Sequence, residues 1–134
     1  MSEEDVPADL RYTSDHEWAR RDAAGEVTVG ITRFAVEQLG DVTLVSLDVK
    51  AGDDVAAGKR FGTIESVKTL SDLFAPVSGK VVRVNGDLSN KPELVNEDCY
   101  GKAWMVVIAP TSAGEIDSLM DAPSYRAHVK ASAG

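Results

Sequence analysis

Between Phe61 and Val84 the chain alternates apolar and polar residues in short runs, and turn-forming residues close each run. Phe61 and Ile64 lead into Glu65-Ser-Val-Lys68. Leu70 and then Leu73 or Phe74 follow, Pro76, Ser78 and Gly79 interrupt, and Val81, Val82 and Val84 resume the pattern. Runs this short, with a period near two, bury one face of a strand and are too brief for helices. The pattern predicts antiparallel strands joined by tight turns, with Lys68 on or beside a hairpin tip. An amine at such a tip stands clear of steric hindrance and is open to covalent modification.

The rest of the chain reads in the same way. Residues 10–12, 16–21 and 26–30 are expected strands, with Ala23-Ala24-Gly25 turning between the last two. Thr32 is a suitable N-cap for a short helix through Leu39, with Ala35, Val36 and Leu39 on one side and Gly40 as its stop. Residues 42–49 alternate as a strand whose core side is expected to carry Thr43, Val45, Leu47 and Val49. Ala51-Gly-Asp-Asp and Ala57-Gly-Lys are turns, residues 85–93 a loop, and residues 104–109 the last core strand. Beyond Pro110, residues 113–120 and 123–130 read as two helices packed on the outside. Gly40, Gly79 and Gly101 are assigned to backbone turns, and Trp18 and Trp104 to packing.

Composition narrows the function. Twenty-two acidic against fourteen basic residues give a net charge of -8, which disfavours binding to a nucleic-acid backbone. No apolar run approaches the ~18 residues of a membrane span. The 134 residues suffice for one modest core. The first nine hold four acids and no base, so an acidic flexible tail is expected there and not a signal or transit peptide. The single cysteine, Cys99, has no intrachain disulfide partner, which fits a reducing compartment, the cytoplasm being the simplest.

The words around Lys68 carry a resemblance. Glu65-Ser-Val-Lys68, then Ser71-Asp72 and the stretch from Ala75 to Asn85, resembles the lipoylated loop of the glycine cleavage system H protein family. Tyr12-Thr13 with His16-Glu17-Trp18 is similar to that family's opening motif, and Val29-Gly-Ile-Thr32 with Leu39-Gly-Asp-Val42 to its next block. Leu94-Val-Asn96 with Tyr100-Gly101 and Trp104 is similar to the closing block. These blocks keep the family's order from about residue 10 to residue 109. The resemblance implies a mostly β fold, a flattened lipoyl-type β-sandwich (a barrel-sandwich hybrid) with a short internal helix and C-terminal helices. It divides the chain into an N-terminal tail over residues 1–9, a lipoyl-carrier domain over 10–109 and a helical extension over 110–134.

What the resemblance implies for function is a carrier and not a catalyst. Lipoic acid would be joined to Lys68 as an amide, which replaces an ammonium by a neutral arm; the cofactor does the bond chemistry and the protein supplies presentation. The arm would take an aminomethyl group from a glycine decarboxylase, pass it to a tetrahydrofolate-dependent aminomethyltransferase, and deliver electrons to dihydrolipoamide dehydrogenase. A lipoyl or octanoyl ligase or transferase would load it, and the chain is expected to act as a monomer. Glu65, three residues before Lys68, is the candidate mark for that enzyme. The aminomethyl cargo is cationic, so carboxylates near the arm could hold it by charge-assisted hydrogen bonds and limit its hydrolysis. Glu17 and Asp72 are the preferred candidates, with Asp15 behind them. His16 is read as a structural histidine, and no residue receives a catalytic or metal-binding role.

The chain departs from the family pattern at Arg33, at Gln38, at the bulkier Thr69-Leu70 pair and at Cys99, none of which touches Glu65 or Lys68. Three other readings compete with this one. A lipoyl-relay protein would keep the arm but donate lipoyl groups to other complexes. A biotin carrier would set methionines around the lysine, where this chain has Val67 and Thr69. A hydrolase built on His16, Glu17 and Cys99 lacks nucleophile–base spacing.

Overall fold

In the computed structural model, which describes residues 5–133, nine strands form two antiparallel sheets. The larger has the order β1-β2-β3-β9-β8-β5, formed by Arg11–Tyr12, Glu17–Arg21, Val27–Ile31, Val106–Pro110, Gly79–Val84 and Asp54–Val55. The smaller has the order β4-β6-β7, formed by Val42–Leu47, Arg60–Ser66 and Leu70–Phe74. Side chains from both sheets meet in one core: Ala19, Val27, Val29, Val106 and Ile108 from the larger, Val42, Val45, Phe61, Ile64 and Leu73 from the smaller. The alternating runs are antiparallel strands as expected, and the two sheets form the mostly β sandwich that the resemblance implies.

Helix α1, Arg33–Leu39, joins the sheets. The Thr32 hydroxyl caps it by accepting from Ala35 N, and the Gly40 N–H closes it onto Val36 O. Val36 and Leu39 enter the main core, whereas Phe34 enters a second cluster on the opposite face of the larger sheet. That cluster holds Leu10, Tyr12, Trp18, Tyr125 and Val129, and Trp18 Nε1 donates to Cys99 O at 3.0 Å within it. Both faces of the β1–β3 region are therefore dry.

Several expectations need correcting. Of the expected tail, residues 1–4 lie outside the described residues; Val6, however, is fully buried in the second cluster, and Tyr12 Oη donates to Pro7 O at 2.5 Å. Residues 5–9 are thus anchored: Val6 has apolar surface to bury, which a count of the acids around it does not register. Thr43 does not face the core. A β-bulge between Val42 and Leu44 shifts the alternation, so Val42 and Val45 point inward and Thr43 outward. The expected loop over residues 85–93 contains one helical turn, α2 at Asp87–Asn90, and α3 follows at Leu94–Glu97.

Beyond β9 there is one long helix, not two. Residues 113–120 supply only a 3₁₀ turn, Ile116–Ser118, before helix α4, Ala122–Ala133. Tyr12 and Met120 exchange both backbone hydrogen bonds (2.8 and 2.9 Å), which holds residue 120 extended beside β1. Gly79 is a strand residue and not a turn residue: a Cβ there would lie 2.1 Å from Ala109 O on the neighbouring strand.

Candidate functional site

Lys68 is the middle residue of the three-residue connection between β6 and β7, exposed as the alternation predicts. The turn contains no glycine, and none of its residues has a positive φ. Ser66 makes it possible. Its N–H donates to Thr69 O at 2.8 Å, and its hydroxyl accepts from the N–H groups of Lys68 (3.3 Å) and Thr69 (3.2 Å). A serine oxygen stands in for the backbone acceptor that a tight turn leaves missing.

The tip is braced from the side. Val67 N–H donates to Asp41 O at 3.0 Å. The segment carrying that carbonyl is clamped by Asn96, whose Nδ2 donates to Gly40 O (2.8 Å) and whose Oδ1 accepts from Val42 N (2.9 Å). Gly40 has φ 77° and ψ -149°, a region essentially reserved for glycine. A Cβ at Gly40 would also stand 3.1 Å from Lys68 Cε, so the lysine stem passes over bare backbone.

Beside the tip opens a cleft of about 470 Å³. The β6–β7 hairpin lines it with Ile64, Lys68, Thr69, Ser71, Asp72 and Leu73. Facing them are Asp15, His16 and Glu17 at the start of β2, Ile31 at the end of β3, and Ala35, Gln38 and Leu39 of α1. The structure thus brings Lys68, Glu17, Asp72 and Asp15 to one cleft and leaves Glu65 outside it, exposed.

The acids live in different environments. Glu17 sits at a core position: opposite Ile31 and in line with Ala19, it is only 2% exposed. Its Oε1 accepts from the Thr13 hydroxyl at 2.6 Å and its Oε2 from Phe74 N at 3.4 Å. Burial pushes its carboxyl up to about 7, against the pull of those two donors. Asp72 is half exposed and faces Arg60 Nη1 at 3.7 Å, and Arg60 also reaches Asp48 at 3.7 Å. Asp15 is exposed.

His16 has φ 72°, the left-handed region that lets residues 13–16 turn tightly into β2 and set Glu17 inward. Its Nδ1 is 2.7 Å from Tyr125 Oη, which is in turn 2.7 Å from Thr32 Oγ1. Burial, then the neighbouring His128, lowers the His16 pKa, with Asp15 opposing. Helix α4 is thereby tied to the cleft wall and to the cap of α1.

Sequence reasoning gave no role to Ser66, Thr13, Asn96 or Tyr125. Ser66 and Thr13 carry the ordinary signal of a hydroxyl residue beside a turn. Asn96 and Tyr125 act across 56 and 109 positions of sequence, and no local pattern announces that.

Residues 10–132 match the family described as Glycine cleavage H-protein. The chain belongs to that family. It is 51% identical over 126 residues to the glycine cleavage system H protein of Anaeromyxobacter sp. (strain K), covering 94% of this chain and 97% of that one. The H protein of Mycolicibacterium vanbaalenii is 51% identical over 132 residues, with 96% and 98% covered. A crystal structure of the glycine cleavage system H protein from Mycobacterium marinum superposes with a TM-score of 0.81 at 41% identity, covering 91% of this chain and 97% of that one. H proteins are carriers in the glycine cleavage system and not catalysts, and this chain is one of them.

Proposed function

We propose that Lys68 carries lipoic acid as an amide on Nζ, and that the chain shuttles between the enzymes of the glycine cleavage system. The observation that carries this reading is the braced hairpin that holds Lys68 at the mouth of the cleft. The bound dithiolane would supply acceptance of the aminomethyl group from glycine decarboxylase, its release to the tetrahydrofolate-dependent aminomethyltransferase, and delivery of electrons to dihydrolipoamide dehydrogenase. The residues present suit such a group. Ile31, Leu39, Ile64 and Leu73 give an apolar lining for a small ring, and carboxyl groups lie within reach of a cationic cargo.

Each residue then has a task. Ser66, Val67 and Asn96 fix where the arm starts, and Gly40 leaves its stem unobstructed. Glu17, partly protonated near neutral pH, meets a neutral ring at little cost and ionises when a cation enters the cleft, because a nearby positive charge favours the carboxylate. Asp72 supplies a charge at the open side, shared with Arg60; Asp15 adds a third. Glu65 marks the hairpin for the lipoyl or octanoyl ligase or transferase.

The names of the relatives favour the shuttle over a lipoyl relay. A reducing cytoplasm, where one-carbon units are handled, suits the lone buried thiol of Cys99. Among the described residues no helix is long and apolar enough to cross a membrane. An intact mass of the protein from its native cell tests the reading: one lipoyl or octanoyl increment is expected, absent in Lys68→Arg, and glycine oxidation should vanish with it. Full glycine oxidation by Lys68→Arg would refute the proposal.

A further inference from the structure

Among the described residues, the large apolar side chains left exposed are Leu44 (46%), Val67 (69%) and Leu70 (64%), and all three lie around Lys68. Val67 is its neighbour in the turn. Leu44 of β4 stands opposite Glu65 of β6, and Glu65 stands opposite Leu70 of β7. Directly paired residues point to the same face with Cβ atoms ~5 Å apart. The outward face of the small sheet therefore carries one row, Leu44–Glu65–Leu70, with a carboxylate between two leucines. The adjacent row, Ser46–Thr63–Asp72, is polar, as a solvent face ordinarily is. The Glu65 carboxylate has no ion pair or hydrogen bond among the described residues. Folding gains nothing from such a row, since leucines left in water bury little.

We propose that this row is the docking surface for the enzyme that acylates Lys68, a partner presenting an apolar groove with a cationic side chain set to meet Glu65. The proposal rests on Lys68 being the acyl-bearing lysine. Reach singles out this occupant. During acylation the Lys68 nitrogen forms the new C–N bond with the carbonyl carbon of an activated acyl donor. The bond from that carbon to the leaving group, a thiolate or an adenylate phosphate, breaks, and the nitrogen gives up one proton. The reacting atom belongs to the lysine itself, so the enzyme must cover the tip and the sheet face beside it. Enzymes that act later meet the far end of an extended arm and need not touch the row. The chain's net charge of -8 and the unpaired Glu65 ask for a cationic partner. Two leucines and a valine make a small patch, suited to an encounter that must release its product.

The test uses the full-length unmodified protein with a lipoate–protein ligase, lipoic acid and ATP. Leu44→Ser/Leu70→Ser should lower kcat/KM for acylation about tenfold or more, through KM. Acylation of Lys68 by an N-hydroxysuccinimide ester, which needs no docking, should match wild type and show that the tip is intact. Once loaded by prolonged incubation, the variant should serve glycine decarboxylase as wild type does. Wild-type kinetics with the ligase would overturn the surface alone. An equal or larger loss with the decarboxylase would assign the row to a different occupant and overturn it too. A wild-type chain that takes no acyl group at Lys68 would overturn both this surface and the function reading.

Discussion

Glu17 offers the sharpest quantitative test, because burial moves its carboxyl from an ordinary 4.5 to about 7. The folded state then holds the proton more tightly than the unfolded chain does. The stability tied to this proton is fully present below pH 4.5, declines by about 1.4 kcal/mol per pH unit above it, and is lost once pH passes about 7. Across that window the loss comes to about 3 kcal/mol. Glu17→Gln cannot ionise and escapes it. The substitution also disturbs the bonds from Thr13 and Phe74, at about 1–2 kcal/mol, but that cost does not depend on pH. Urea unfolding of both proteins at pH 5, 6, 7 and 8 separates the two effects. The variant should be the less stable at pH 5 and should gain on wild type by about 2–3 kcal/mol by pH 8. Stability curves that run parallel from pH 5 to pH 8 would refute the reasoning, and Glu17 would then be ionised and solvated like a surface acid.

Three further outcomes follow from the bracing of the tip. Asn96→Ala removes both bonds that clamp residues 40–42 and should cost about 2 kcal/mol in urea unfolding; a change under about 0.5 kcal/mol would show that the clamp is idle. Gly40→Ala forces a side chain into a glycine-only conformation beside Lys68 Cε and should cost about 2 kcal/mol while slowing acylation of Lys68; an unshifted Tm would contradict it. Tyr125→Phe keeps the stacking on Tyr12 but loses the bonds to His16 and Thr32. It should cost about 1–2 kcal/mol and shift the His16 ring signal in an NMR pH titration, where an unchanged titration would break the link.

The strands around Lys68 were legible because alternation, turn residues and short runs all point the same way between Phe61 and Val84. The cap and stop of α1 were legible for a similar reason: Thr32 and Gly40 act within four residues of their partners. Thr43 misled because a bulge adds one residue without altering composition, and alternation cannot reveal it. Residues 113–120 misled because helix propensity is weak beside the pairing of Met120 with Tyr12. At the site, Glu17 and Asp72 read alike as acids near a motif. Only the fold separates them, since one lies opposite Ile31 in the core and the other beside Arg60 in water.

That separation bears on what a carrier cleft must do. On the proposed function it would accept a neutral ring in one state and a charged cargo in another, with the same residues. A buried acid ionised at all times would burden the empty protein with an unpaired charge, and a purely apolar cleft would repel the cargo. A carboxyl raised to about 7 would resolve the conflict: it would rest partly neutral, satisfied by Thr13 and Phe74, and become an anion when a cation arrives. Asp72 cannot play that part, being exposed and already facing Arg60, but it adds charge at the open side that salt will screen. Added salt should therefore weaken whatever hold Asp72 has on a cation far more than the hold of Glu17.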